Sequence, residues 1–358
     1  MRRMGWIAAA ALALLTWNAA DAQRCVLPRP FELDRINREL AGRVVDYTDN
    51  HGADHRIWSP ALGERRDLYV YLPPGFDPCK QYPLILWLHG FAQDEHSFLK
   101  DGVRPLDRAM RDGVIPPVIV AAPDGSLKGV SGYVSAGSFF LNTPVGGRFE
   151  DFLMQDVWDF LFSHYPIRPE RDAHLIAGVS MGGGGAYHTA IKYPDRFGSV
   201  LAFLPPLNVR WEDCNGRILS NFDPDCWGWR TEFNRGRQTV GRFYHVLTIR
   251  QRMVSFPLYG RNDPNVAEEI SRDNPIEMLD AYDVRDGQLN MYVAYAGRDE
   301  FHLEAQAESF LYHAHERGLH VTVDYWPRGR HDKATVLDML PNALDWLGPK
   351  LAPYAPHD

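Results

Sequence analysis

A serine set between glycines carries the first chemical signal. Residues 175–186 read Leu-Ile-Ala-Gly-Val-Ser-Met-Gly-Gly-Gly-Gly-Ala, so Gly178 stands two places before Ser180 and Gly182 two places after it. In a G-x-S-x-G elbow a strand turns sharply into a helix and holds a serine hydroxyl at the tip. The backbone is strained there, so the close neighbours must lack side chains. The helix that follows begins at the serine, and its first N–H groups have no partner within the helix. The Met181 N–H is then free to stabilise an oxyanion.

A serine hydroxyl needs a base, and the base needs an orienting acid. His331 lies downstream in Gly329-Arg330-His331-Asp332, and the acidic pair Asp299-Glu300 lies between it and Ser180. Serine, acid, histidine is the chain order of α/β-hydrolase triads. In such a triad Ser180 Oγ attacks a carbonyl carbon. His331 takes the serine proton and later passes it to the leaving group, while the carboxylate fixes the imidazole tautomer. Asp299 and Glu300 are adjacent and cannot both face the histidine. The shorter Asp299 is the favoured acid and Glu300 the alternative. The one not used is expected to be a solvated surface carboxylate. A catalytically inactive binding protein on a hydrolase scaffold is the competing class. Loss of Ser180 or His331 would signal it, and both are present.

These residues need a parallel sheet to bring them to one edge. Leu84 to Leu88 is a continuous apolar run, as in a central strand covered on both faces. It leads into His89-Gly90-Phe91-Ala92, where the turn after a third strand supplies the second oxyanion donor in this architecture, here the Phe91 N–H. His89 precedes the serine and so breaks the triad order; it is read as shaping the turn. Val118–Ala122, the elbow strand, Ser199–Phe203, Leu289–Ala296 and Val321–Tyr325 continue the sheet. Helices are expected near Phe149–His164, after Ser180, over Leu303–Arg317 and near Thr335–Leu347. Arg43–Tyr47, Arg56–Ser59 and Asp67–Leu72 are earlier strand candidates. The expected fold is an α/β-hydrolase, with a mostly parallel central sheet and helices on both faces.

One region breaks that rhythm. Residues 205–287 hold Trp211, Trp227 and Trp229 beside Arg210, Arg217, Arg230, Arg235 and Arg237, with weak sheet and helix periodicity before about Val240. They read as a cap or lid inserted after the sixth strand. Aromatics with arginines suit an aromatic or sugar-like group or a carboxylate, so the three tryptophans are candidate substrate contacts.

Composition narrows the partners. The net charge is −8, which argues against nucleic acid. Arg2 and Arg3, the apolar stretch Trp6 to Trp17, and Ala20-Asp21-Ala22 form a secretory signal peptide, residues 1–22. The run is too short to span a bilayer. The mature chain, 23–358, is then one large α/β domain, exported to the periplasm or secreted. Four cysteines in an oxidising compartment permit two disulfides. Cys214 with Cys226 is the expected pair, since they bracket one polar loop, leaving Cys25 with Cys79. No C-x-x-C pair suggests zinc or redox work. His51 and His55 have no third ligand at metal-site spacing, so no metal and no cofactor is expected.

Taken together, His89-Gly90, the Gly178-to-Gly183 elbow, its sequel Tyr193-Pro194-Asp195-Arg196-Phe197-Gly198 and Gly329-Arg330-His331-Asp332 resemble the esterase D-type "putative esterase" family. That family includes S-formylglutathione hydrolases, feruloyl and acetylxylan esterases, enterobactin esterases and mycolyltransferases. The resemblance covers about residues 55–348. It implies a triad at Ser180, Asp299 (or Glu300) and His331, with oxyanion donors at Phe91 and Met181. The family's Gly-x-x-Asp spacing, counted from Gly297, lands on Glu300. The implied activity is hydrolysis of acyl or feruloyl esters of carbohydrates, or of similar extracellular esters, through an acyl-enzyme. Acyl transfer on the same triad is the alternative within enzymes.

Overall fold

The computed structural model describes residues 31–132, 137–243 and 247–357. The signal-peptide segment and Cys25 lie outside the described residues. Eight strands form the central sheet: β1 (Arg43–Tyr47), β2 (Leu68–Leu72), β3 (Leu84–Leu88), β4 (Ile119–Pro123), β5 (His174–Val179), β6 (Ser199–Phe203), β7 (Asn290–Arg298) and β8 (Val321–Arg330). Their order is β1-β2-β4-β3-β5-β6-β7-β8. β1 and β2 pair antiparallel, as do β2 and β4, and every later pairing is parallel. This is the mixed α/β sheet expected of an α/β-hydrolase.

Alternation inside the buried strands builds two cores. In β3, Leu84, Leu86 and Leu88 join the cluster on one face, and Ile85 and Trp87 join the other. A strand covered on both sides needs apolar residues at every position, which is why β3 shows no polar alternation. Six helices are labelled: α1 (Glu32–Glu39), α2 (Val103–Arg111), α3 (Trp158–His164), α4 (Met181–Lys192), α5 (Leu303–Glu316) and α6 (Lys333–Leu351). Leu161 of α3, Tyr187 of α4 and Phe310 of α5 pack on one face. Ile36 of α1, Leu106 of α2 and Met339 of α6 pack on the other. Each fully buried Leu, Ile or Phe contributes about 1.5–3 kcal/mol.

The segment between β6 and β7 contains two short antiparallel ribbons. One joins Trp211–Asp213 to Trp227–Trp229, and the other joins Thr239–Phe243 to Leu247–Arg250. The helices Val266–Arg272 and Pro275–Ala281 follow. Cys214 and Cys226 form a disulfide that closes the first ribbon, as their spacing suggests. Cys79 is exposed and carries a free thiol among the described residues, and Cys25, its expected partner, lies outside them.

Register decides what meets at the sheet edge. Leu88 pairs with Gly178, and Phe203 pairs with both Val179 and Ala294. The ends of β3, β5 and β6 are therefore level. Beyond a bulge after Ala296, Arg298 pairs with Arg330, so β7 and β8 end together. Phe91, Ser180, Asp299 and His331 all follow C-terminal strand ends, where open α/β sheets bind ligands.

Candidate active site

The elbow depends on two glycines. A Cβ on Gly178 would lie 2.2 Å from the Gly182 carbonyl oxygen, and a Cβ on Gly182 would lie 2.2 Å from the Leu88 carbonyl oxygen. No real Cβ fits at either distance. Ser180 sits at φ 53° and ψ −120°, a conformation that L-residues rarely adopt. Its N–H donates to the Phe203 carbonyl at 2.8 Å, which ties the strained residue to β6. The strain lifts the hydroxyl clear of β5 and starts α4 directly beneath it.

Two short hydrogen bonds link three side chains. His331 Nε2 lies 2.8 Å from Ser180 Oγ, and His331 Nδ1 lies 2.7 Å from Asp299 Oδ2. Because Asp299 only accepts when ionised, Nδ1 carries the proton in this arrangement, and Nε2 is left to accept from the serine. Asp299 and His331 are both buried. Asp299 Oδ1 accepts the Phe301 N–H at 2.8 Å, which locks the carboxylate. The Phe301 ring stands 4.8 Å from the imidazole, centroid to centroid. Burial works against a charged His331. The Asp299 charge and hydrogen bond, with Glu300 and Asp332 behind them, outweigh it, and the pKa is raised above the usual 6.5.

Glu300 behaves differently from the expectation. It is not a solvated surface carboxylate: its side chain is only 10% exposed. Oε2 accepts the main-chain N–H of His331 at 2.9 Å, and Oε1 lies 3.5 Å from Arg330 Nη1. The reason is the level ending of β7 and β8. Consecutive side chains leaving β7 diverge, so one reaches the imidazole and the other reaches the backbone of the same residue.

The turn after β3 faces Ser180. A Cβ on Gly90 would stand 3.6 Å from Ser180 Cβ, which shows how closely that backbone approaches. The Gly90 N–H donates to Gln93 Oε1 at 2.9 Å. The N–H groups of Phe91 and Met181 have no acceptor among the described residues. His89 lies beneath the turn. Its Nε2 accepts from the Gly125 N–H at 2.8 Å, so its Nδ1–H donates to the Gly90 carbonyl at 2.9 Å. Both ring nitrogens are thus engaged in shaping the turn. His302 caps α5 from the left-handed region, at φ 52°.

A cavity of about 490 Å³ opens over Ser180 and His331. Phe139, Val209, Phe233, Ile249 and Leu258 give it an apolar wall, largely from the β6–β7 segment. Of the three tryptophans expected as substrate contacts, only Trp211 lines it. Trp227 and Trp229 are not among its lining residues. Trp211 and Trp229 are directly opposed across the ribbon, and Trp227 stacks diagonally on Trp211 at 6.4 Å. One face of the ribbon therefore carries all three, buried at Trp211 and 38% exposed at Trp229. Weak periodicity in this stretch hides the ribbon, so the depth of each ring is not readable from the sequence.

One group of side chains among the described residues has metal-ligand geometry: Asp67, Glu95 and Asp124, all buried. Asp124 is already paired with Arg66 at 3.0 Å. Burial, with Asp67, Asp124 and Asp94 close by, pushes the Glu95 carboxyl well above its usual range. His51 lies 2.8 Å from the Tyr69 hydroxyl, and His55 is an exposed loop residue.

Solved structures share the fold. A ferulic acid esterase superposes with a TM-score of 0.62 at 17% identity, covering 86% of this chain and 99% of that one. An S-formylglutathione hydrolase from Agrobacterium tumefaciens gives 0.60 at 16% identity, covering 87% of this chain and 96% of its own. A fluorophosphonate-binding serine hydrolase from Staphylococcus aureus gives 0.58 at 16% identity, covering 86% and 98%. A family model described as "Putative esterase" matches residues 59–242, just over half of the sequence. The chain belongs to the putative esterase family and is a serine carboxylic-ester hydrolase.

Proposed function

We propose that Ser180, His331 and Asp299 are the catalytic triad of this esterase, with the N–H groups of Phe91 and Met181 as its oxyanion hole. The observation that carries this reading is His331 standing 2.8 Å from Ser180 Oγ and 2.7 Å from Asp299 Oδ2. Ser180 Oγ adds to the ester carbonyl carbon while His331 Nε2 takes its proton. The carbonyl oxygen becomes an oxyanion held by the two amides. As the C–O bond breaks, the imidazolium returns that proton to the departing alkoxide and the acyl group remains on Ser180. Water, deprotonated by His331, then releases the acid. Asp299 stabilises the imidazolium throughout.

The substrate proposed is an extracellular ester, with acyl or feruloyl esters of carbohydrates as the first class to try. The apolar cavity and the fold shared with a ferulic acid esterase support that choice. The chain is proposed to be exported after removal of residues 1–22, and residues 205–287 to act as a lid. The Cys214–Cys226 disulfide suits an oxidising compartment. No helix among the described residues is long and apolar enough to cross a membrane.

The test is a fluorophosphonate probe followed by peptide mass spectrometry, with p-nitrophenyl esters and methyl ferulate assayed alongside. A single adduct on Ser180, lost together with hydrolysis in a folded Ser180→Ala variant, is expected. Hydrolysis surviving in Ser180→Ala would overturn the mechanism. N-terminal sequencing of the exported protein should begin at Gln23.

A further inference from the structure

Arg230 differs from the other arginines of the β6–β7 segment. It is 5% exposed and lines the cavity that contains Ser180 and His331. Its Nε donates to the Glu232 carbonyl at 3.0 Å. Its Nη2 donates to Gln238 Oε1 at 2.8 Å and to Gln251 Oε1 at 3.0 Å. All three acceptors are neutral. No carboxylate among the described residues reaches ion-pairing distance, and Nη1 has no acceptor there. The guanidinium also lies 4.3 Å over the Phe233 ring. Arg210, by contrast, is paired with Glu277 at 2.7 Å, and Arg235 with Glu232 at 2.7 Å.

The other charges on the cavity wall are compensated. Asp101 pairs with Lys333, and Asp273 lies 3.5 Å from Lys192. Asp332 caps α6 by accepting the Thr335 N–H at 2.9 Å. Gln251 adds a second donor. An arginine only donates, so the Gln251 oxygen must face it and the amide nitrogen must turn away. That nitrogen has no acceptor among the described residues, and Gln251 is on the cavity wall. Burial lowers the Arg230 pKa to about 10, with Glu212 pulling it back up, so the group stays charged at neutral pH. A buried cation that lacks a counter-ion is costly until an anion reaches it.

We infer that Arg230, with Gln251, forms a subsite for a carboxylate carried by the ester substrate, on its acyl or its alcohol portion. The inference rests on the serine-esterase reading of the same cavity. It makes the enzyme selective for acidic esters and gives the otherwise apolar wall one polar anchor.

Two matched pairs of esters test it. One pair is p-nitrophenyl monoadipate against p-nitrophenyl hexanoate. The other is 4-carboxyphenyl butanoate against its methyl ester, 4-(methoxycarbonyl)phenyl butanoate. The wild-type enzyme should favour the acidic member of at least one pair by about tenfold or more in kcat/KM, mainly through KM. Arg230→Gln should bring that ratio close to one, and Arg230→Lys should retain part of it. No preference for either acidic ester in the wild type, or a ratio unchanged in Arg230→Gln, overturns the inference. If Arg230→Gln does not fold, the wild-type ratio and Arg230→Lys still decide. A fluorophosphonate adduct on Ser180 with turnover of neutral esters but no acidic preference removes the subsite alone. Absence of both adduct and turnover in folded protein removes the esterase mechanism with it.

Discussion

Glu300 Oε2 accepts the main-chain N–H of His331 at 2.9 Å, while its neighbour Asp299 holds the ring of the same histidine at 2.7 Å. Two adjacent acids thus grip one residue, one by its backbone and the other by its side chain. Asp299→Asn should lower kcat by about 10³–10⁴, because the amide favours the wrong imidazole tautomer. Glu300→Gln keeps an acceptor for the backbone N–H and should cost about tenfold or less. Steady-state kinetics on one ester compares them. Equal and mild losses would show that the acid lies elsewhere.

The pH profile follows from His331. In the proposed triad its neutral form is the base, so activity is expected above its pKa and is lost as pH falls through it. Because that pKa is raised above 6.5, the acid limb of kcat/KM should have its midpoint above 6.5. Asp299→Asn removes the charge that raises it, and the limb should move to lower pH in whatever activity remains. A wild-type midpoint below 6.5 would contradict the assignment.

Gly182 is a packing requirement of the elbow. A Cβ there would lie 2.2 Å from the Leu88 carbonyl oxygen and 2.6 Å from that of His89, both backbone atoms that cannot step aside. Gly182→Ala should destabilise the protein by about 1–3 kcal/mol and lower turnover by about a hundredfold or more. Gly228, in the ribbon, would have nothing within 4 Å of an added methyl group, and Gly228→Ala should leave both properties near wild type. Chemical denaturation and ester assays separate the two.

Glu95 carries a stability signature. In the unfolded chain it loses its proton near the ordinary 4.5, while in the fold burial and nearby acids hold that proton on to higher pH. The folded state then binds more protons, so stability falls as pH rises from about 4.5 toward the folded value. Glu95→Gln removes the titration and should flatten this decline, with a higher melting temperature at alkaline pH. Melting curves across pH check it. A variant that declines as steeply as wild type would exclude Glu95 as the source.

Much of the site is legible in the chain itself. Ser180 stands out because the elbow needs Gly178 and Gly182 in a fixed local spacing, which a sequence displays, and His331 because it follows the serine and the acidic pair in triad order. The strands are legible for a similar reason: Leu84–Leu88 and Ser199–Phe203 are buried at every position, and their apolar runs show it. The order of serine, acid and histidine limits the acid to Asp299 or Glu300. The Cys214–Cys226 pair follows from two cysteines bracketing one short loop.

Only the tertiary structure separates the places of the two acids. Both follow Arg298, and only the pairing of Arg298 with Arg330 across β7 and β8 sets which carboxylate meets the imidazole. The buried place of Glu300, the positions of Trp227 and Trp229 off the cavity wall, and the uncompensated charge of Arg230 arise the same way. Each depends on contacts between segments far apart in the chain, where burial and register are properties of the packed neighbour and not of the residue itself.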